Sequence, residues 1–126
     1  NKQAGARKKP ERVEGTLSCE LPKTLVKKND IHITSKRNFD CFQDTELDML
    51  LKRTLDVKNI IICGVNTDTC VYGTTFGASN RGYNPIVIEC CTGSMRGEDQ
   101  HKTALKIMSQ SIAWVMKKEE ILNKLN

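Results

Sequence analysis

The sequence predicts an α/β domain on a mostly parallel sheet, and three features predict it. Residues 59–65 and 85–88 form short, unbroken, largely β-branched runs, the pattern of strands covered on both faces. Segments with apolar residues at helical spacing flank these runs. Strand and helix alternate at the length of βαβ units, whose crossovers make neighbouring strands parallel.

Taken in order, residues 1–29 show little periodicity and several breakers (Gly5, Pro10, Gly15, Pro22), and read as a basic, poorly structured arm. Residues 30–126 read as the folded portion. Within it, residues 31–34 alternate weakly, with Ile31 and Ile33 on one side, and suggest a short strand. Thr45-Glu46-Leu47-Asp48 fits a capping box, and Leu47, Leu50, Leu51 and Leu55 follow as one apolar stripe of a helix. After the strand at 59–65 comes a polar turn. Val71, Thr75 and Ala78 then mark a second helix, closed by Gly82 at a C′ position. Residues 85–88 give the next buried strand, and a Gly- and Ser-rich loop over 92–97 leads to the last long helix. There Ala104, Ile107, Met108, Ser111, Ile112 and Val115 keep the 3.6-residue period, and residues 116–126 add a further helical turn or two.

The expected architecture is a three-layer, doubly wound sandwich. Such a sheet uses more strands than the three visible, so the chain reads as the second half of an α/β domain, incomplete at its N-terminal side. A bare parallel edge invites association, so a second copy, as in a homo-oligomer, or another segment is expected to cover it.

Composition narrows the functional classes. The 126 residues are 38% hydrophobic and 28% charged, ordinary values for a globular chain. No apolar run approaches the roughly 20 residues of a membrane-spanning helix, and residues 1–14 lack the apolar core of a signal peptide. The net charge of +5 is concentrated in Lys2, Arg7, Lys8, Lys9 and Arg12. No aromatic residue interleaves with these cations before Phe39, so the stacking platform of single-strand binders is missing. Neither nucleic acid nor membrane is an expected partner. The six cysteines include no Cys-x-x-Cys pair and no histidine at zinc-ligand spacing. They read as free thiols of a reducing, cytoplasmic compartment, with Cys63 and Cys90 packing as small hydrophobes at the ends of apolar runs.

One segment carries chemistry: Gly64-Val65-Asn66-Thr67-Asp68-Thr69-Cys70-Val71. A buried strand ends, a polar turn intervenes and a cysteine opens a helix. Ligands of doubly wound sheets bind beyond the carboxyl ends of the strands. A cysteine there feels the positive end of the helix dipole, which favours thiolate, and free amides of the turn can converge as an oxyanion hole. Such a cysteine is a nucleophile in some proteins and a structural thiol in others. Lys36 follows the 31–34 strand and so also falls at a carboxyl end, where a solvent-facing lysine is the plain alternative. His101 opens the last helix, in a capping or packing role.

These residues carry a resemblance. Lys36-Arg37-Asn38-Phe39-Asp40-Cys41-Phe42, Thr45 and Leu47, the Gly64 to Val71 run, Thr75, Ala78, Gly82-Tyr83, and His101 with Ala104-Leu105 stand in an order that resembles the isochorismatase-like cysteine hydrolases, over roughly residues 30–115. The resemblance implies that Cys70 is the nucleophile and Lys36 the triad lysine. It also implies an oxyanion hole from the backbone amides of Asn66 and Cys70, and a cis Val65–Asn66 peptide. Members that cleave isochorismate lack the cysteine, so its presence points to hydrolysis of small amides or N-carbamoyl compounds through a thioester. Gly82-Tyr83-Asn84-Pro85 and the later loop look most like the N-carbamoylsarcosine amidohydrolase type, where a loop arginine clamps the substrate carboxylate. Arg96 is the candidate, with Met95 at the ungapped position. The family's third catalytic group is an aspartate ending a first strand. Asp30 and Asp40 flank Lys36 outside any such motif, and no aspartate is assigned. No cofactor or metal is implied by the residues present. The alternative is a catalytically inactive, truncated member serving as an oligomerisation or regulatory module.

Overall fold

A computed structural model describes residues 15–125, and the chain divides into two units, Asn1–His32 and Ile33–Asn126. In the first, a 3-10 turn at Leu17–Cys19 is closed by the Cys19 amide on the Thr16 carbonyl at 2.9 Å. The Lys27 amide donates to Asp30 Oδ2 at 2.8 Å. Leu17, Leu21 and Leu25 are exposed. The five cations of the basic cluster lie outside the described residues.

The second unit is built on a three-stranded parallel sheet in the order β1 (Asn59–Val65), β2 (Asn84–Gly93), β3 (Trp114–Met116). Helix α2 (Tyr72–Asn80) connects β1 to β2, and α3 (Glu98–Ser111) connects β2 to β3. A short α1 (Leu47–Met49) runs into a π-helical turn, Leu50–Thr54, ahead of β1, and α4 (Lys118–Leu125) follows β3. Strand residues alternate between faces. Ile62 and Val87 therefore join one core with Val71 just before α2, Ala78 within it, and Ala104, Leu105 and Met108 of α3. Their neighbour Ile88 points the other way, and α4, with its buried Ile121, packs on β2 outside that core. Helices thus cover both faces of β2, as a doubly wound sheet requires.

Four expectations are corrected. Residues 31–34 form no strand, because they pair with no strand among the described residues; Arg37 donates to the carbonyls of Thr34 and Lys36. The last long helix stops at Ser111, where the Ile112 and Ala113 amides both return to the Met108 carbonyl. Val115 then pairs with Val87 as part of β3. Aromatic and β-branched residues there favour a pleated surface over helix. Strand β2 runs on to Gly93, five residues past its apolar run. The capping box does not form: Thr45 Oγ1 donates to the Cys41 carbonyl at 2.6 Å, and Asp48 Oδ1 accepts from the Tyr83 hydroxyl at 2.9 Å. The end of α2 is as expected. Gly82 has φ 83°, and the Gly82 and Tyr83 amides close on the Ser79 and Ala78 carbonyls as a Schellman motif.

Tyr83 is buried, stacks on Phe42 at 5.6 Å, and has its hydroxyl pushed up to about 12 by burial and then by the Asp48 carboxylate. An unfolded tyrosine ionises near pH 10. Between these values the unfolded chain releases the proton while the folded chain keeps it. This contribution is therefore whole below about pH 10 and lost as pH rises towards 12. Urea midpoints measured from about pH 9 upwards should fall across that window, and Tyr83→Phe should flatten the fall.

Candidate active site

The loop that carries Cys70 begins where β1 ends. The Val65–Asn66 peptide is cis, in the position the resemblance implies. Asn66 is extended (φ −91°, ψ 144°) and precedes a π-helical turn, Thr67–Val71, that continues into α2. The Asn66 carbonyl accepts from the amides of Thr69 at 3.2 Å and Val71 at 3.1 Å, the residues on either side of Cys70. Cys70 is thus half-buried in the first turn of a helix at the carboxyl edge of a parallel sheet. Beneath it, Thr67 is fully buried and its Oγ1 shares a 2.8 Å hydrogen bond with His101 Nδ1. This places His101 in the packing role read from the sequence and ties the start of α3 to the loop.

The loop after β2 is bound to the loop after β1. Asp68, only 9% exposed in its side chain, accepts from Ser94 Oγ at 2.7 Å through Oδ1 and from the Arg96 guanidinium at 2.8 Å through Oδ2. Ser94 Oγ accepts in turn from the Arg96 amide, and Asn66 Oδ1 accepts from the Met95 amide at 2.9 Å. Arg96, 56% exposed, is therefore held over the Cys70 loop with part of its charge already answered. A substrate carboxylate reaching it has to share or displace Asp68. Sequence reasoning missed Asp68 and Ser94, although a carboxylate in the turn and an arginine in the facing loop were both legible.

Lys36 lies in the irregular segment before α1 and is exposed. Ser35 donates to the Glu46 carboxylate, and Asp40 Oδ1 accepts from the Phe42 amide at 2.8 Å. This segment docks on α2 where side chains are missing. A Cβ on Gly73 would sit 3.3 Å from Phe39 Cβ, and one on Gly77 only 2.4 Å from the Asp40 carboxylate. Thr74 seals the contact, with its Oγ1 accepting from the Cys41 amide at 3.2 Å and donating to the Phe39 carbonyl at 3.3 Å. Lys36 faces Cys41 closely enough to favour its thiolate, yet burial dominates and raises the Cys41 thiol. The fold thus brings the Lys36 segment to Thr74, one turn along the helix from Cys70. Cys41 lies against Thr74, with its thiol raised mainly by burial.

All six cysteines are free. Cys63, Cys90 and Cys91 are exposed rather than packed, which corrects the reading of Cys63 and Cys90 as buried hydrophobes. The face of β1 bearing Ile61, Cys63 and Val65 is exposed in this unit. Among the described residues, no group of three or more His, Cys, Asp and Glu side chains is arranged to hold a metal ion, and no helix is long and apolar enough to cross a membrane.

A family profile described as the isochorismatase domain matches residues 1–120. The chain belongs to the isochorismatase family. The uncharacterised isochorismatase family protein YecD of Escherichia coli O157:H7 is 33% identical over 97 residues, which are 77% of this chain and 50% of that protein. Among solved structures, an isochorismatase-like hydrolase from Alkaliphilus metalliredigens superposes with a TM-score of 0.84 at 27% identity, over 91% of this chain and 63% of that one. A nicotinamidase from Staphylococcus aureus gives 0.61 at 35% identity, over 65% of this chain and 50% of that one. This family of hydrolases therefore includes nicotinamidases, and its parallel α/β fold is the fold seen here. The chain spans about half the length of the curated relatives it matches.

Proposed function

We propose that this chain carries the nucleophile-bearing part of a cysteine hydrolase that cleaves the C–N bond of small amides or N-carbamoyl compounds. The observation that carries the reading is Cys70, in the first helical turn beyond a parallel strand, with the Lys36 segment docked one turn along the same helix. In the reaction, the Cys70 thiolate attacks the carbonyl carbon. The amides of Asn66 and Cys70 take the developing oxyanion, and the Lys36 ammonium offsets its charge. Nitrogen leaves as ammonia, and water releases the acid from the thioester. The base that accepts the thiol proton is assigned to no residue of this chain. Because Asp68 already engages Arg96, uncharged amides such as nicotinamide are the first substrates to try, ahead of N-carbamoyl amino acids.

The test is ammonia release from nicotinamide and from N-carbamoylsarcosine by the purified protein. Release from either supports the reading; release from neither, or release that persists in Cys70→Ala, contradicts it. Limited iodoacetamide gives an independent measure, since Cys41 is held above the ordinary thiol range by burial. Cys70 should label several-fold faster than Cys41, as read by peptide mass spectrometry. Equal rates would count against an activated thiol.

A further inference from the structure

A second group of thiols lies outside the nucleophile turn. Between the pairs Ile62–Val87 and Gly64–Thr92, β1 advances two residues while β2 advances five, so β2 bulges there. Cys63 and Cys91 each directly precede a member of the Gly64–Thr92 pair on adjacent strands, at the irregularity itself. Neighbouring strands run about 4.8 Å apart, inside the span of roughly 4.4–6.8 Å between Cα atoms that a disulfide bridges. Cys90 Sγ lies 4.0 Å from Cys91 Sγ, and all three thiols are exposed and free.

We propose that Cys63 and Cys91 are an oxidation site, closing to a cross-strand disulfide when a peroxide reaches them. The two thiols already act on each other, since Cys91 is among the groups that push the Cys63 thiol up, after burial. Burial and then Cys90 raise the Cys91 thiol, while Cys63 and Lys118, at the start of α4, oppose that rise. The Cys63 thiol is raised with no such counterweight, so Cys91 is the attacking sulfur through its minor thiolate form. Its thiolate attacks one oxygen of hydrogen peroxide, the O–O bond breaks, and the leaving hydroxide takes a proton to become water. Cys63 then attacks the Cys91 sulfenic sulfur, the S–O bond breaks and a second water leaves. Two thiols lose two electrons and two protons in all, and one peroxide becomes two waters. Cys90 is closer in sequence but a poorer partner, because a ring through adjacent residues distorts the planar trans peptide between them. The bond would tie β1 to β2 two residues before Val65 and Gly93, directly behind the loops that carry Cys70 and Arg96.

The experiment is to expose the full chain to a few equivalents of hydrogen peroxide, block remaining thiols with N-ethylmaleimide, and sequence tryptic peptides by mass spectrometry. The dominant product should join Cys63 to Cys91 within one chain, disappear on reduction with dithiothreitol, persist in Cys90→Ser and be absent in Cys91→Ser. A Cys90–Cys91 loop, links spread over Cys19, Cys41 or Cys70, bridges between chains, overoxidised acids alone, or no oxidation would each overturn the proposal. The unsubstituted chain decides the question even where a variant fails to fold.

Discussion

Cys70→Ala is expected to lower kcat/KM for amide hydrolysis at least about a thousandfold, roughly 4 kcal/mol of transition-state stabilisation. In the proposed reaction the Cys70 sulfur forms the new bond, so the substitution removes the reacting atom. Cys41 lies against Thr74, but its burial disfavours thiolate and it occupies another segment. Cys41→Ser should therefore leave kcat/KM within about threefold. Lys36→Ala should cost less than Cys70→Ala, because in the proposed reaction the ammonium only offsets charge and forms no bond. The ordering is the informative part. If Cys41→Ser were as damaging as Cys70→Ala, the roles of the two thiols would have to be exchanged.

Gly77→Val is expected to destabilise the second unit by about 3 kcal/mol, the upper end of ordinary overpacking. A Cβ at residue 77 would stand 2.4–2.5 Å from all three carboxyl atoms of Asp40. That carboxylate is not a loose side-chain tip. It accepts from the Phe42 amide at 2.8 Å and pairs with Arg81 at 3.4 Å, and Arg81 also stacks on Phe42. Relief by movement of Asp40 therefore breaks the contact that docks the Lys36 segment on α2. Urea denaturation should show the loss, and Gly77→Ala should show a smaller one in the same direction. In an Asp40→Ala background the cost of Gly77→Ala should shrink to a few tenths of a kcal/mol, because the clashing atoms are gone. An undiminished cost there would place the strain in the helix itself.

The elements legible in the sequence were those fixed by local pattern. The run at 85–88 is apolar where helices cover both faces of β2. The run at 59–65 reads the same although its face bearing Ile61, Cys63 and Val65 is exposed in this unit, and Gly82 stands where a helix must turn left-handed. The elements that were not legible depend on partners distant in sequence. Residues 31–34 alternate like a strand but have no ladder neighbour among the described residues. Trp114–Met116 keeps a helical period by accident and becomes β3 because Val87 offers a free edge. At the candidate site, the turn that presents Cys70 was legible in one contiguous motif, while the position of the cis peptide was implied by the family resemblance. The tie from Asp68 to Ser94 and Arg96 joins two loops more than 20 residues apart and has no sequence periodicity to announce it. The docking groove on α2 was hidden for a simpler reason: it is made by the missing side chains of Gly73 and Gly77.

The central claim is that the Cys70 sulfur forms a covalent acyl intermediate with an amide substrate. Acid-quenching the protein within milliseconds of mixing with nicotinamide, followed by peptide mass spectrometry, tests it without relying on turnover. The account predicts a nicotinoyl adduct on the peptide containing Cys70, labile to hydroxylamine and absent from Cys70→Ala. An adduct carried by Cys41, or hydrolysis that proceeds with no acyl group on Cys70 at any time, would contradict it.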